Sequence, residues 1–440
     1  MTATALLHAA GISAAQSFKP GKLHPAVSCA ADPSQSYALY LPPGYNKDRQ
    51  WPILYGFSPG ANGRHVVELH REAAKRFGWI VVGSNNSRNG PFEVIKRAAD
   101  AMWKDTRKRL SIDNKRLYAT GFSGGGSVSS WFAQNHSLPF AGVFMHARGA
   151  IGGIPRKKTS TFFMLLPGIT SDFNFDESVR FLCLTRRTGT RAHLDAQRGG
   201  HDWAPKSSCH AMLRYAELMA RLDATSPPDR KLAKLVDEEA AMLEDRLKGP
   251  LFLCAWERLE ELAARVHKKH KFSSRFSKLA KKMKRRLESE SLAWADLDEG
   301  CLFDAKIKER YPSIESLNSA DRSRRKLAND YPGTTATHLA IASQVLAPRS
   351  LERVNSNAVQ PEVHQAYAAY LAKVKSMSVD FVDQAKKLIK NKQLHQAVVA
   401  LHHGVLLETV SSATLKKKTF RKLAKLPSFR RLKKALSTQN

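Results

Sequence analysis

The stretch Asn114-Lys115-Arg116-Leu117-Tyr118-Ala119-Thr120-Gly121-Phe122-Ser123-Gly124-Gly125-Gly126 decides how this chain is read. Arg116 to Thr120 reads as a strand, and the glycine-rich run after it opens a helix that continues through Trp131 and Phe132. Gly121-Phe122-Ser123-Gly124-Gly125 therefore places G-x-S-x-G in the strand-turn-helix context that gives this pattern chemical meaning. The reason is steric. A serine on so sharp a turn projects its hydroxyl above the sheet, and only glycine tolerates the close packing at the flanking positions. The helix starting behind it brings positive potential to where an oxyanion would develop.

Working outward, apolar β-rich runs alternate with helical patterns from about Leu23 to Asp223, which predicts an α/β fold with a mostly parallel sheet flanked by helices. Strands are expected over Ser36 to Leu41, Trp51 to Phe57, Trp79 to Gly83, Phe140 to His146, Thr161 to Leu166 and Arg191 to Gln197. Helices are expected over Phe92 to Leu110, 176–187 and Ser207 to Leu222. The order of strands within the sheet is not readable from the pattern.

A serine hydroxyl is a poor nucleophile near neutral pH unless a base takes its proton, and histidine has the appropriate pKa. His201, in the loop Arg198-Gly199-Gly200-His201-Asp202-Trp203 between the last strand and the closing helix, is the expected base. His136 and His146 precede the expected acid, while His193 and His210 fall inside regular elements. The acid should lie between serine and base in the chain order Ser, Asp, His. Asp172, just past the Thr161 to Leu166 strand, fits best, with Asp176 in reserve because it starts a helix and has an ordinary capping role open to it. Two backbone amides should receive the oxyanion: Gly124, after the serine, and Gly60 in the loop Ser58-Pro59-Gly60-Ala61-Asn62-Gly63, with Ala61 next. Trp203, Trp131 and Phe173 are either site-lining or core, and core ranks higher for Trp131.

Around Thr225-Ser226-Pro227-Pro228-Asp229 the pattern changes to charged stretches of helical spacing. The expected organisation is a leader or flexible N-terminus over 1–22, a catalytic domain over 23–225, and a basic helical region over 226–440. Helices are predicted over 230–247, 251–292 and 361–409, and a basic tail, as a solvated helix or mobile segment, over 415–440. The net charge of +32 is spread over both halves, +14 over residues 1–230 and +18 over the remainder. Such charge favours nonspecific contact with polyanions, whereas no motif with stacking aromatics or a recognition helix marks a sequence-reading nucleic-acid module. Five cysteines without a CxxC or a zinc-like spacing predict no metal site and no cofactor. Ser13-Ala14-Ala15 resembles a signal-peptidase site, but no Lys or Arg precedes it, so export and a cytoplasmic location both stay open. No stretch reaches the roughly 18 apolar residues that span a bilayer, which predicts a soluble chain without a transmembrane segment.

Together, Leu41-Pro42-Pro43-Gly44-Tyr45, Asn114 through Gly125, Gly168 through Asn174 and Gly200-His201-Asp202-Trp203 resemble the esterase and depolymerase branch of the α/β-hydrolase superfamily over roughly residues 36–222. That group contains feruloyl esterases and polyhydroxybutyrate depolymerases. The resemblance implies a small-molecule or polymeric ester substrate. Two departures stand out: Ser58-Pro59 occupies the place of the family's His-Gly pair, and Asp172 lies one residue further from Gly168 than is usual. The readings left open are a serine esterase working through an acyl-enzyme, a serine peptidase on the same scaffold, and a degenerate hydrolase domain that binds a polyanion or a protein. Nothing in 226–440 resembles a known family or names its protein partner.

Overall fold

In the computed structural model the described residues are 18–148, 153–168, 172, 174–197, 199–223, 230–247, single positions between 255 and 281, and stretches of 381–433. The leader expected over the first residues thus lies mostly outside them, as do Phe173 and most of the expected helices 251–292 and 361–409.

Eight strands form one sheet in the order β1-β2-β4-β3-β5-β6-β7-β8. Strands β1 (Leu23–Cys29) and β2 (Asp32–Tyr40) make an antiparallel edge, and β2 pairs antiparallel with β4 (Ile80–Ser84). From β4 onward every pairing is parallel, through β3 (Trp51–Phe57), β5 (Ile112–Phe122), β6 (Gly142–His146), β7 (Phe162–Leu166) and β8 (Ala192–Leu194). The central strands are apolar on both sides because both faces of the sheet are covered. Phe163 and Leu165 of β7 join the core beneath helices α2 (Phe92–Arg109), α3 (Gly124–Gln134) and α4 (Phe175–Arg187). Phe162, Met164 and Leu166 face the opposite core, under α1 (Gly63–Phe77) and α5 (Lys206–Asp223). That period-two division sets which strand residues can approach the site and which only pack.

Three elements differ from expectation, the first being α1, a helix over Gly63–Phe77 that the expected elements leave out. Leu23-His24-Pro25-Ala26-Val27-Ser28-Cys29 carries no strand pattern of its own, and it is a strand that only its long-range pairing with β2 reveals. The last strand is shorter than Arg191 to Gln197, ending at Leu194, with Gln197 contributing one isolated bridge to Gly168.

The pattern change near 225 marks a change of architecture while the core continues across it. Helix α6 (Arg230–Arg246) lays Leu232, Leu235, Val236, Ala240 and Leu243 into the core shared by α1 and α5, joined there by Leu259, Leu262, Phe276 and Leu279. Buried charges pin this layer: Glu239 accepts from Arg214 at 3.0 Å and from Arg258, and Asp195 beyond β8 pairs with Arg246. Further on, α7 (Phe381–Lys390) packs with Leu415, Phe420, Leu423, Phe429 and Leu432 in a separate small cluster. The basic tail is therefore not a wholly solvated helix over its described part, since apolar residues recurring every three to six positions supply a buried side. Among the described residues no helix is long and apolar enough to cross a membrane.

Candidate active site

Ser123 stands between β5 and α3 with φ 52 and ψ −124, a conformation that costs an L-residue about 1–3 kcal/mol. The surrounding structure enforces it. Its backbone N–H donates to the His146 carbonyl at 2.9 Å, and the Gly126 N–H donates to the Ser123 carbonyl at 2.9 Å. A Cβ at Gly121 would sit 2.0 Å from the Gly125 carbonyl oxygen, and one at Gly125 would sit 2.2 Å from that of Phe57, so the turn can close this tightly only with glycine there.

The loop after β8 brings His201 to the serine. His201 Nε2 lies 3.0 Å from Ser123 Oγ, and Nδ1 lies 2.8 Å from Asp172 Oδ1. Asp172 is fully buried, and its carboxylate accepts the backbone N–H of Gly168 at 3.1 Å and of Asn174 at 2.9 Å. The carboxylate thus holds the imidazole with Nδ1–H toward itself and leaves the Nε2 lone pair for the hydroxyl proton, an arrangement that can raise the nucleophilicity of Ser123. The side chain of the reserve acid, Asp176, lies outside the described residues.

Gly124 begins α3, so its N–H belongs to the helix's first turn and has no partner within the helix. In the loop after β3, the Ala61 N–H closes a turn onto the Ser58 carbonyl at 3.2 Å, while the Gly60 N–H makes only a long 3.4 Å approach to Ser58 Oγ. Of the two, Gly60 is the freer donor. The loop after β4 supports this one: Gly60 bridges to Arg88, and the Asn89 N–H donates to the Pro59 carbonyl at 2.9 Å.

His146 precedes the acid in the chain, which sets it apart from the expected base, yet it organises the site from below. Its carbonyl accepts the Ser123 N–H, its Nδ1 accepts the Ala204 N–H at 3.1 Å, and its Nε2 lies 3.2 Å from Thr120 Oγ1. No local pattern could have revealed this. Trp203 packs at tilted and edge-on angles among Phe122, His65, His70 and His146, whereas Trp131 packs on the core and meets Phe92 edge-on. His70, His146 and Cys209 put ligand-type atoms within 4.8 Å of one another. Burial holds the His70 imidazole down to about 4 and His146 well below its usual range, and pushes the Cys209 thiol up to about 12. The Ala204 bond fixes the proton of His146 on Nε2, the nitrogen a shared ion would need, so the trio fits a packed neutral cluster better than a metal site. Cys29 and Cys209 are buried free thiols.

No family model matches the chain. A probable feruloyl esterase C of Aspergillus oryzae is 26% identical over 130 residues, 27% of this chain and 48% of that protein, so the chain spans about half the length of this relative. Among solved structures, a ferulic acid esterase aligns over 44% of this chain and 97% of its own, at 17% identity and a TM-score of 0.37. An S-formylglutathione hydrolase of Staphylococcus aureus aligns over 46% of this chain and 98% of its own, at 12% identity and a TM-score of 0.39. The strand order with its antiparallel edge, and the serine on a positive-φ turn between β5 and α3, give the first half of this chain the α/β-hydrolase fold.

Proposed function

We propose that this protein is a serine hydrolase that cleaves carboxylic esters, small or polymeric, through an acyl-enzyme. Ser123 Oγ attacks the ester carbonyl while His201 Nε2 takes its proton, and the imidazolium then gives that proton to the departing alcohol. Water, deprotonated by the same nitrogen, attacks the acyl-enzyme, releasing the acid and restoring Ser123. Asp172 orients and stabilises the imidazolium, and the Gly124 and Gly60 amides face the oxygen that carries negative charge in between. The observation that carries the reading is the unbroken line from buried Asp172 through His201 to a strained Ser123, with contacts of 2.8 and 3.0 Å. The likeness to a feruloyl esterase favours an ester over an amide. Hydrolysis of short-chain p-nitrophenyl esters by wild type, Ser123→Ala and His201→Ala tests it: turnover in wild type alone supports the reading, and equal rates in all three would remove it.

A second property is favoured by the C-terminal segment, where Lys416, Lys417, Lys418, Arg421, Lys422, Lys425, Arg430 and Lys433 are exposed around the buried apolar cluster. This basic face suits nonspecific adhesion to a polyanion, and binding to heparin that weakens steeply with added salt is the expected behaviour. A flat salt response would remove it.

A further inference from the structure

We infer that Asn89 is a catalytic residue of this site, whose side-chain amide donates a third hydrogen bond to the oxyanion formed at Ser123. This role rests on the hydrolase reading above.

The residue after Ser123 is Gly124, and the space that a side chain there would take is filled from another loop. A Cβ on Gly124 would lie 2.0 Å from Asn89 Oδ1, 2.9 Å from its Cγ and 3.3 Å from its Nδ2. Since an ideal Cβ is about 2.5 Å from its own amide nitrogen, Asn89 Oδ1 lies within about 4.5 Å of the nitrogen of the Gly124 N–H and Nδ2 within about 5.8 Å. An oxyanion accepting that N–H sits about 2.9 Å from the same nitrogen. A carboxamide needs only a rotation about its terminal torsion to turn N–H toward that point, and its oxygen and nitrogen are interchangeable in such a placement.

Asn89 is also exposed, and among the described residues its carboxamide has no hydrogen-bond partner, so both amide hydrogens are available to a substrate. Its backbone is held independently. The Asn89 N–H donates to the Pro59 carbonyl and Arg88 bridges to Gly60, so one short segment braces the loop bearing Gly60 and lays its side chain against Gly124. This also accounts for the departure at Ser58-Pro59: support for the hole comes from the loop after β4. No proton moves to or from Asn89. As the Ser123 Oγ–C bond forms, the carbonyl electron pair moves onto oxygen, and the amide hydrogen meets the charge there.

The test uses the full chain and a fluorophosphonate probe, whose phosphoryl oxygen enters the same hole, resolving the maximal rate of labelling from the probe's apparent affinity. Wild type is compared with Asn89→Ala, which deletes the amide, and with Asn89→Asp, which keeps its shape but removes the donor. Both substitutions should slow maximal labelling about ten- to a hundredfold with apparent affinity within about threefold, while the melting temperature stays unchanged. Labelling by Asn89→Ala within about twofold of wild type overturns the role of Asn89 and leaves the hydrolase reading standing. A loss confined to affinity, or a slow Asn89→Ala beside a fast Asn89→Asp, overturns it likewise, because Asn89 would then fill space or bind the probe's tail. A wild type that resists the probe removes the hydrolase reading, and the role of Asn89 falls with it.

Discussion

Among the described residues, two places combine a carboxylate, an imidazole and a hydroxyl. Above the sheet, Asp172, His201 and Ser123 form a line ending on a half-buried hydroxyl. Beside β8, Glu261 accepts from the Tyr215 hydroxyl at 2.6 Å and contacts His193 Nε2 at 3.1 Å. The same three groups serve different ends. Glu261 also pairs with Arg191 and with Arg265 at 3.0 Å. Burial raises its carboxyl, yet the bond to His193, the nearby charges and the Tyr215 hydroxyl hold it far below the ordinary range. Burial and the Glu261 charge push the Tyr215 phenol well above its own. That hydroxyl keeps its proton, and its carboxylate is committed to arginines. At Asp172 the other acceptor positions take uncharged backbone N–H groups, so His201 is the cation this carboxylate can stabilise. The type of neighbour, and the strained turn beneath the hydroxyl, separate the line we propose as reactive from the structural one.

Substitutions can break this comparison. The largest expected effect is on ester turnover: Ser123→Ala or His201→Ala should lower kcat by about 10⁴-fold or more, and Asp172→Asn by about 10²- to 10⁴-fold, measured on a p-nitrophenyl ester. Glu261→Gln should instead act on stability. Removing one partner of a largely buried ionic network costs about 3–5 kcal/mol, read as a lowered denaturation midpoint, with the labelling rate of the folded enzyme unchanged. A Glu261→Gln variant that folds normally but fails to label would show that the two lines are coupled.

Acid should sharpen the contrast further. His70 and His146 are buried neutral, with folded pKa values below the unfolded 6.5, so the unfolded chain takes up protons first as pH falls. Their support is complete above pH 6.5 and is lost between 6.5 and about 4 for His70, at up to about 1.4 kcal/mol per pH unit for each histidine. Melting temperatures at pH 7.5, 6.5 and 5.5 should fall in that order, and His70→Gln should flatten the slope. The smallest effect belongs to His193→Ala, which should leave turnover within about twofold.

The sequence made the local features legible. The Gly121 to Gly126 turn, the apolar run of β7 and the loop around His201 are short-range patterns, and the structure brings Ser123, Asp172 and His201 to one point. What stayed illegible depends on contacts distant in sequence. Strand order follows from pairings such as β2 with β4, and β1 is a strand only because β2 lies beside it. Helical spacing in α6 predicted a helix but not that its apolar side covers the sheet's existing core. Asn89 and His146 gain their places from approaches across 35 and 23 residues to Gly124 and Ser123, a relation no local window contains.

His146 gives the site a common datum. The backbone of Ser123 and the segment just after His201 are both measured from this one residue, through its carbonyl and its Nδ1. Two loops that must meet to within a few tenths of an ångström therefore inherit their separation from a single rigid strand end.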